Sequence, residues 1–128
     1  MKLLLDTHTF IWWDSEPDAL SDRASALCLD SENELILSVA SLWEMQVKAQ
    51  LGKLTLRRSL RSLVEGQQES NRLQLLPIRP EHTYALDDLP FHHKDPFDRI
   101  IVAQAKVEGL CVLSHDSIIR KYPITVEW

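Results

Sequence analysis

The stretch "DPFDRIIVAQAKVEGLCVLSHD", residues 95–116, reads as a helix that feeds straight into a strand. Asp95 followed by Pro96 has the order of an N-cap and a first-turn proline. The apolar residues behind them continue a helix over about 96–108, and Gly109 stops it. "LCVLS", residues 110–114, is short, apolar and bounded by polar residues, as a buried strand is. A helix leading into a buried strand is half of a βαβ unit. The rest of the chain repeats the alternation. On the N-terminal side, "LQLLPI" (73–78) reads as a strand and "EHTYALDDL" as a short helix; on the C-terminal side, "DSIIRKY" is a helical turn and "ITVEW" a last strand.

Further toward the N-terminus, "KLLL" (2–5) is a strand and "THTFIWWDSE" holds a short helix or turn. Ser21 caps a helix over 21–30, and "ELILS" (34–38) is the second strand. Ser38 or Ser41 caps a helix running to about Leu51, ended by Gly52, and an amphipathic helix spans about 57–69. Strands that are continuously apolar and alternate with helices are buried on both faces. The expectation is a three-layer α/β/α sandwich with a mostly parallel sheet of about five strands, one domain over residues 1–128. The order of the strands is left open.

At 128 residues the chain is long enough to bury a core without staples. No apolar run reaches the roughly 18 residues of a membrane span. Asp6 interrupts the N-terminal run too early for a secretory signal, so a cytoplasmic location is expected. Cys28 and Cys111 lie in apolar surroundings and read as free thiols of a reducing compartment. The net charge of −5 argues against a polyanion partner, but its distribution does not. From Met45 to Val64 there is no acidic residue, while Lys48, Lys53, Arg57, Arg58 and Arg61 all fall in that window. This block is either a solvated helix face or a cradle for a nucleic-acid backbone.

In an open parallel sheet, functional groups collect beyond the carboxyl ends of the strands. Asp6 follows the first strand, Glu44 sits early in the helix after the second, and Asp116 lies two residues past "LCVLS". Asp95 and Asp98 join them only if the helix of 96–108 points its N-terminus to the same edge. Each acid also has a local reading: Asp95 as N-cap, Asp98 as a dipole partner, Glu44 in a capping box with Ser41, Asp6 as a turn former, Asp116 as a cap. Together they mean something else. Two ionised carboxylates about 4 Å apart repel by on the order of 4 kcal/mol at an effective dielectric near 20. Either some take up protons or a divalent cation sits among them. Oxygen ligands select Mg²⁺ or Mn²⁺, ions suited to phosphodiester hydrolysis. His8, His82, His92, His93 and His115 show no metal-ligand spacing and read as locally bonded. Trp12, Trp13 and Trp43 read as core, or alternatively as base-stacking or partner surfaces.

Four blocks, "LLLDTHTFIWW", "SVASLWEMQVKAQLGKL", "DPFDRIIVAQA" and "LSHDSIIRKYP", resemble those of PIN-domain ribonucleases, and more narrowly VapC-like toxins of type II toxin–antitoxin modules. The resemblance runs over nearly the whole chain, in order. It implies a Mg²⁺- or Mn²⁺-dependent endoribonuclease that forms homodimers and is inhibited by a cognate antitoxin, with DNA reached only through that antitoxin. By position, Asp6, Glu44, Asp98 and Asp116 match the family's four acids. Asp95 is then a cap or auxiliary ligand, and Thr7 accompanies Asp6 and is expected to hydrogen-bond it. The helix N-terminus is expected to keep Asp98 ionised. The His92–His93 pair is outside the pattern and receives no role. The rival readings are a catalytically inactive antitoxin-binding module and a metal-dependent DNA nuclease or phosphatase.

Overall fold

Leu3, Leu4 and Leu5 are each fully buried, because the strand that carries them lies in the middle of the sheet. The computed structural model describes residues 1–128. Its strands are β1 (Lys2–Leu5), β2 (Glu34–Ser38), β3 (Gln74–Leu76), β4 (Cys111–Leu113) and β5 (Val126–Glu127). All pairings are parallel, in the order β3-β2-β1-β4-β5. Leu4 stands beside Ile36 on one flank and Val112 on the other.

The two-residue period of the strands divides the core between the two faces of the sheet. Leu3, Leu5, Leu35, Leu37, Cys111 and Leu113 pack on one side with Phe10, Ala24, Met45 and Val64. These come from helices α1 (Thr7–Ser15), α2 (Asp22–Leu29), α3 (Val39–Gln50) and α4 (Leu60–Asn71). Leu4, Ile36 and Val112 face the other side and meet Ile101, Val102, Ala103 and Ala105. Those residues belong to α6 (Pro96–Glu108), with α5 (Pro80–Ala85) beside it. Burial on both faces is why the strands carry no polar alternation. The three-layer expectation holds, and β1, β2 and α6 fall where they were expected. Both cysteines are free. No helix is long and apolar enough to cross a membrane.

The largest difference lies at α4, expected from about residue 57 but beginning at Leu60. Ser59 accepts from the Ser62 amide and starts the helix there. Arg57 instead reaches away to Asp14, with Nη2 and Nε at 2.9 and 3.1 Å from its two carboxylate oxygens. The Asp14 side chain is 1% exposed and also accepts from Gln67 and Ser15. Burial alone would push the Asp14 carboxyl up, but these donors, Arg57 first, outweigh it and hold it below its ordinary value. Arg57 thus pins the start of α4 to the end of α1. Arg57→Met is expected to cost roughly 1–2 kcal/mol of stability, given that the guanidinium is partly exposed and screened. Urea unfolding of parent and variant near neutral pH checks this. The difference should shrink as acid protonates Asp14, because a depressed carboxyl stabilises only while ionised.

Candidate active site

The strand order reverses between β1 and β4, where chain connections leave in opposite directions and a crevice opens at the carboxyl edge. Asp6 and Ser114 flank that point as the first residues after β1 and β4. Asp6 caps α1: its Oδ1 accepts from the Thr9 amide at 2.8 Å. Its Oδ2 accepts from the Ser114 hydroxyl. The same hydroxyl oxygen accepts from the Asp116 amide at 3.0 Å, and Asp116 Oδ1 accepts from the Ile118 amide at 2.8 Å. Asp6 thus caps α1 as expected, whereas Asp116 closes a local turn and does not cap the helical turn at Ile119–Lys121, whose N-cap is Ile118; these bonds are local. They occupy one lone pair each and hold the remaining carboxylate oxygen positions in place for something else.

Glu44, 2% exposed, lies in the second turn of α3. Thr7 donates its hydroxyl to Glu44 Oε1 at 2.7 Å and lies 3.0 Å from the Ser41 hydroxyl. Lys48, one turn on, reaches Glu44 Oε2 at 2.5 Å. The helix after a strand in a parallel sheet runs back antiparallel to it, and so does the helix that precedes the next strand. This brings the N-terminus of α6 to the same edge as that of α3. Asp95 caps α6 through Phe97 and Asp98 amides at 2.9 and 3.2 Å, and Asp98 falls in its first turn.

The carboxyl of Asp98 is pushed up to about 7, by burial first and then by the charges of Asp95, Glu44, Asp6 and Asp116. This corrects the expectation that the helix N-terminus keeps Asp98 ionised. A helix terminus contributes about 0.3–1 kcal/mol. The opposing shift, from 3.8 to about 7, corresponds to on the order of 4 kcal/mol. Crowding wins. Lys48 is raised as well: its hydrogen bond to Glu44 and the charges of Glu44, Asp95 and Asp98 hold its ammonium above the usual range.

The charges of the other four acids singled out in the sequence thus all reach Asp98 at one edge of the sheet. Thr7 is the second correction. Its hydroxyl engages Glu44 rather than Asp6, because the first turn of α1 faces α3. Three residues were given no place, or another one. Ser114 bridges Asp6 to the Asp116 backbone; its only signal was its position at a strand end. Lys48 belongs to the acidic cluster, as its four-residue spacing from Glu44 on a helix would allow. His93 sits with ring nitrogen and carboxylate oxygens of Asp98 and Asp116 all within 4.8 Å of one another. Of the other basic residues, Lys53 lines a pocket with Thr7, His8 and Lys48, while Arg58 and Arg61 are exposed on the flank. Trp43 is 61% exposed and meets Phe97 edge-on at 5.1 Å, so it is not core.

The donor set suits a hard cation. The oxygens of Asp98 and Asp116 lie with a His93 ring nitrogen within 4.8 Å of one another, while Asp6 and Glu44 stand outside that group and reach Asp98 through their charge.

The model of the PIN domain matches residues 3–124 of the chain. Ribonuclease VapC22 of Mycobacterium tuberculosis is 30% identical over 129 residues, spanning 97% of each chain. Among solved structures, VapBC2 from Rickettsia felis bound to a promoter DNA fragment superposes with a TM-score of 0.76 at 17% identity, covering 100% of this chain and 99% of that one. DNA-bound VapBC from Salmonella typhimurium gives 0.71 at 20%, covering 99% and 97%. At those identities the structural likeness is one of fold. The domain match over nearly the whole length, with the relative at 30% identity, shows that this chain belongs to the PIN-domain family and is VapC-like.

Proposed function

We propose that the protein is a metal-dependent endoribonuclease, the toxin of a toxin–antitoxin module. The observation that carries this reading is that Asp6, Glu44 and Asp116, from three other segments, lie close enough for their charges to reach Asp98, whose carboxyl is pushed up to about 7 by burial first and then by these charges and that of Asp95. The name of the curated relative, a ribonuclease, supports RNA as substrate, and the VapBC complexes support a cognate antitoxin as partner, with DNA reached through it. A homodimer and a cytoplasmic site of action belong to the same reading.

Asp6, Asp98, Glu44 and Asp116 would hold Mg²⁺ or Mn²⁺, and Asp95 remains a cap, its Oδ1 accepting from the Phe97 and Asp98 amides. When bound, the cation supplies charge neutralisation of the phosphodiester and a more acidic water. The protein's own part is orientation. Ser114 and Thr9 fix both oxygens of Asp6; Thr7 and Lys48 fix both oxygens of Glu44. A water molecule attacks phosphorus in line and the P–O3′ bond breaks. One proton of that water passes to a site carboxylate, the departing 3′ oxygen is protonated by solvent, and the new end is a 5′-phosphate. Lys48 and Lys53 line a pocket with Thr7 and His8 beside the acids, and in this reading they meet the backbone phosphates.

The test is cleavage of labelled tRNA and ribosomal RNA with Mg²⁺ or Mn²⁺. Asp6→Asn keeps an acceptor for the Thr9 amide but loses the charge, and no cleavage is expected from it. Equal activity in parent and variant would refute the assignment. Cleavage of DNA instead of RNA would move the protein to a different substrate class.

A further inference from the structure

Arg99 and Tyr122 take no part in the chemistry above, yet both are buried beside it, at 6% and 3% exposure. Arg99 directs Nη1 to the Pro90 carbonyl at 2.8 Å and Nη2 toward the carbonyls of Leu86 and Leu89 at 3.4 and 3.5 Å. Its guanidinium lies 4.0 Å over the Phe91 ring. Nη1 also reaches the Tyr122 hydroxyl at 3.3 Å, and the His93 amide reaches it at 3.4 Å. Both are obligate donors, so they occupy the two lone pairs of that oxygen. The buried hydroxyl must then place its own proton, and the acceptor in reach is His93 Nδ1 at 2.8 Å. A ring whose Nδ1 accepts carries its hydrogen on Nε2. That atom is buried without a hydrogen-bond partner and lies 3.4 Å from Asp98 Oδ2.

We infer that His93 is a positioning residue for Asp98, an Nε2–H donor locked by the Arg99–Tyr122 brace onto the outer side of that carboxylate, and not itself a metal ligand. The inference rests on the metal-site reading above. Ligation through Nε2 would require its lone pair. The proton would then move to Nδ1 and become a third donor on the Tyr122 oxygen, whose own O–H would be left buried without an acceptor. A buried donor left without an acceptor is strongly disfavoured. As a donor, His93 directs one oxygen of Asp98 and leaves the other for the cation, an arrangement known to tune ligands from outside the coordination shell.

The experiment reads the tautomer directly. Long-range ¹H–¹⁵N correlation of the metal-free protein is expected to show His93 protonated on Nε2, and the pattern should persist on adding Mg²⁺. A switch to the Nδ1–H form with Mg²⁺ would overturn the inference and make His93 a ligand. Binding of Mn²⁺ to RNA-free protein, followed by the electron paramagnetic resonance of the free ion, supplies the second readout. His93→Leu is expected to weaken it by about tenfold or more, and His93→Gln, which restores an N–H near the Nε2 position, to recover much of the loss. Tyr122→Phe should mix the tautomers while leaving the fold intact by circular dichroism. Unchanged Mn²⁺ affinity in His93→Leu would also sink the inference. Loss of all Mn²⁺ binding in the parent itself would instead refute the metal-site reading.

Discussion

The Asp98→Asn variant is expected to unfold at a higher temperature than the parent at pH 8 without divalent metal, and to cleave no RNA with it. The two effects share one cause. In the unfolded chain the Asp98 carboxyl ionises near 3.8; in the folded protein, burial and four neighbouring carboxylates move it to about 7. Between those values the folded state holds a proton that the unfolded state has lost. The group therefore contributes its full stability below pH 3.8, and that contribution is lost as pH rises through about 7. The penalty above that point is on the order of 4 kcal/mol. Asparagine has no charge to crowd, so the variant's stability should not decline with pH in this way. Unfolding curves at pH 5 and pH 8 in chelator measure it. A variant that keeps the parent's pH slope, or is the weaker of the two at pH 8, would show that Asp98 is not the crowded group. Saturating Mn²⁺, at about a hundredfold over its dissociation constant, should stabilise the parent by about 2.7 kcal/mol and the variant far less. A residue that costs stability and is needed for activity is the trade expected of a binding site.

Arg99→Leu is expected to cost on the order of 3–5 kcal/mol, one of the largest losses available to a single substitution here. Helix propensity does not explain it, because leucine and arginine are equally good in a helix interior. The loss comes from the carbonyls of Leu86, Leu89 and Pro90, which share the guanidinium, and from the Tyr122 oxygen. Leucine leaves the Pro90 and Leu89 carbonyls without the donor they share, and takes one of two donors from the Leu86 carbonyl and from the Tyr122 oxygen. Lysine keeps the charge but lacks the planar fork, so Arg99→Lys should recover only part of the stability. Urea unfolding gives the magnitude. Hydrogen exchange should place the lost protection in residues 86–93 and the adjoining first turn of α6. A loss under 1 kcal/mol would mean that water replaces the fork at little cost.

Much of the site was legible because its parts are local. Asp6 follows a run of three leucines, so its place at the end of a buried strand needs no tertiary information. Asp95, Pro96 and Gly109 bracket α6 by rules of the single helix, and both bounds came out as expected. The basic block was read as one feature because its charges are contiguous. The fold then divides it: Lys48 goes to Glu44 and Arg57 to Asp14, while Lys53 lines a pocket with Thr7 and His8. The first pair is one helical turn apart and within reach of a sequence argument; the second is not, since Asp14 is 43 residues from Arg57. His93 was passed over because adjacent histidines show no ligand spacing. Its role comes through Tyr122, 29 residues further on.

The amino-acid order by itself determined which segments are buried strands, which are capped helices and which acids stand at their ends, because short-range sterics, capping and hydrophobic period act within a few residues. Only the tertiary structure decided the strand order, with β1 beside β4, and with it the meeting of Asp6, Ser114 and Asp116. It also decided the state of Asp98, since desolvation and the field of distant carboxylates depend on through-space separation and not on position along the chain.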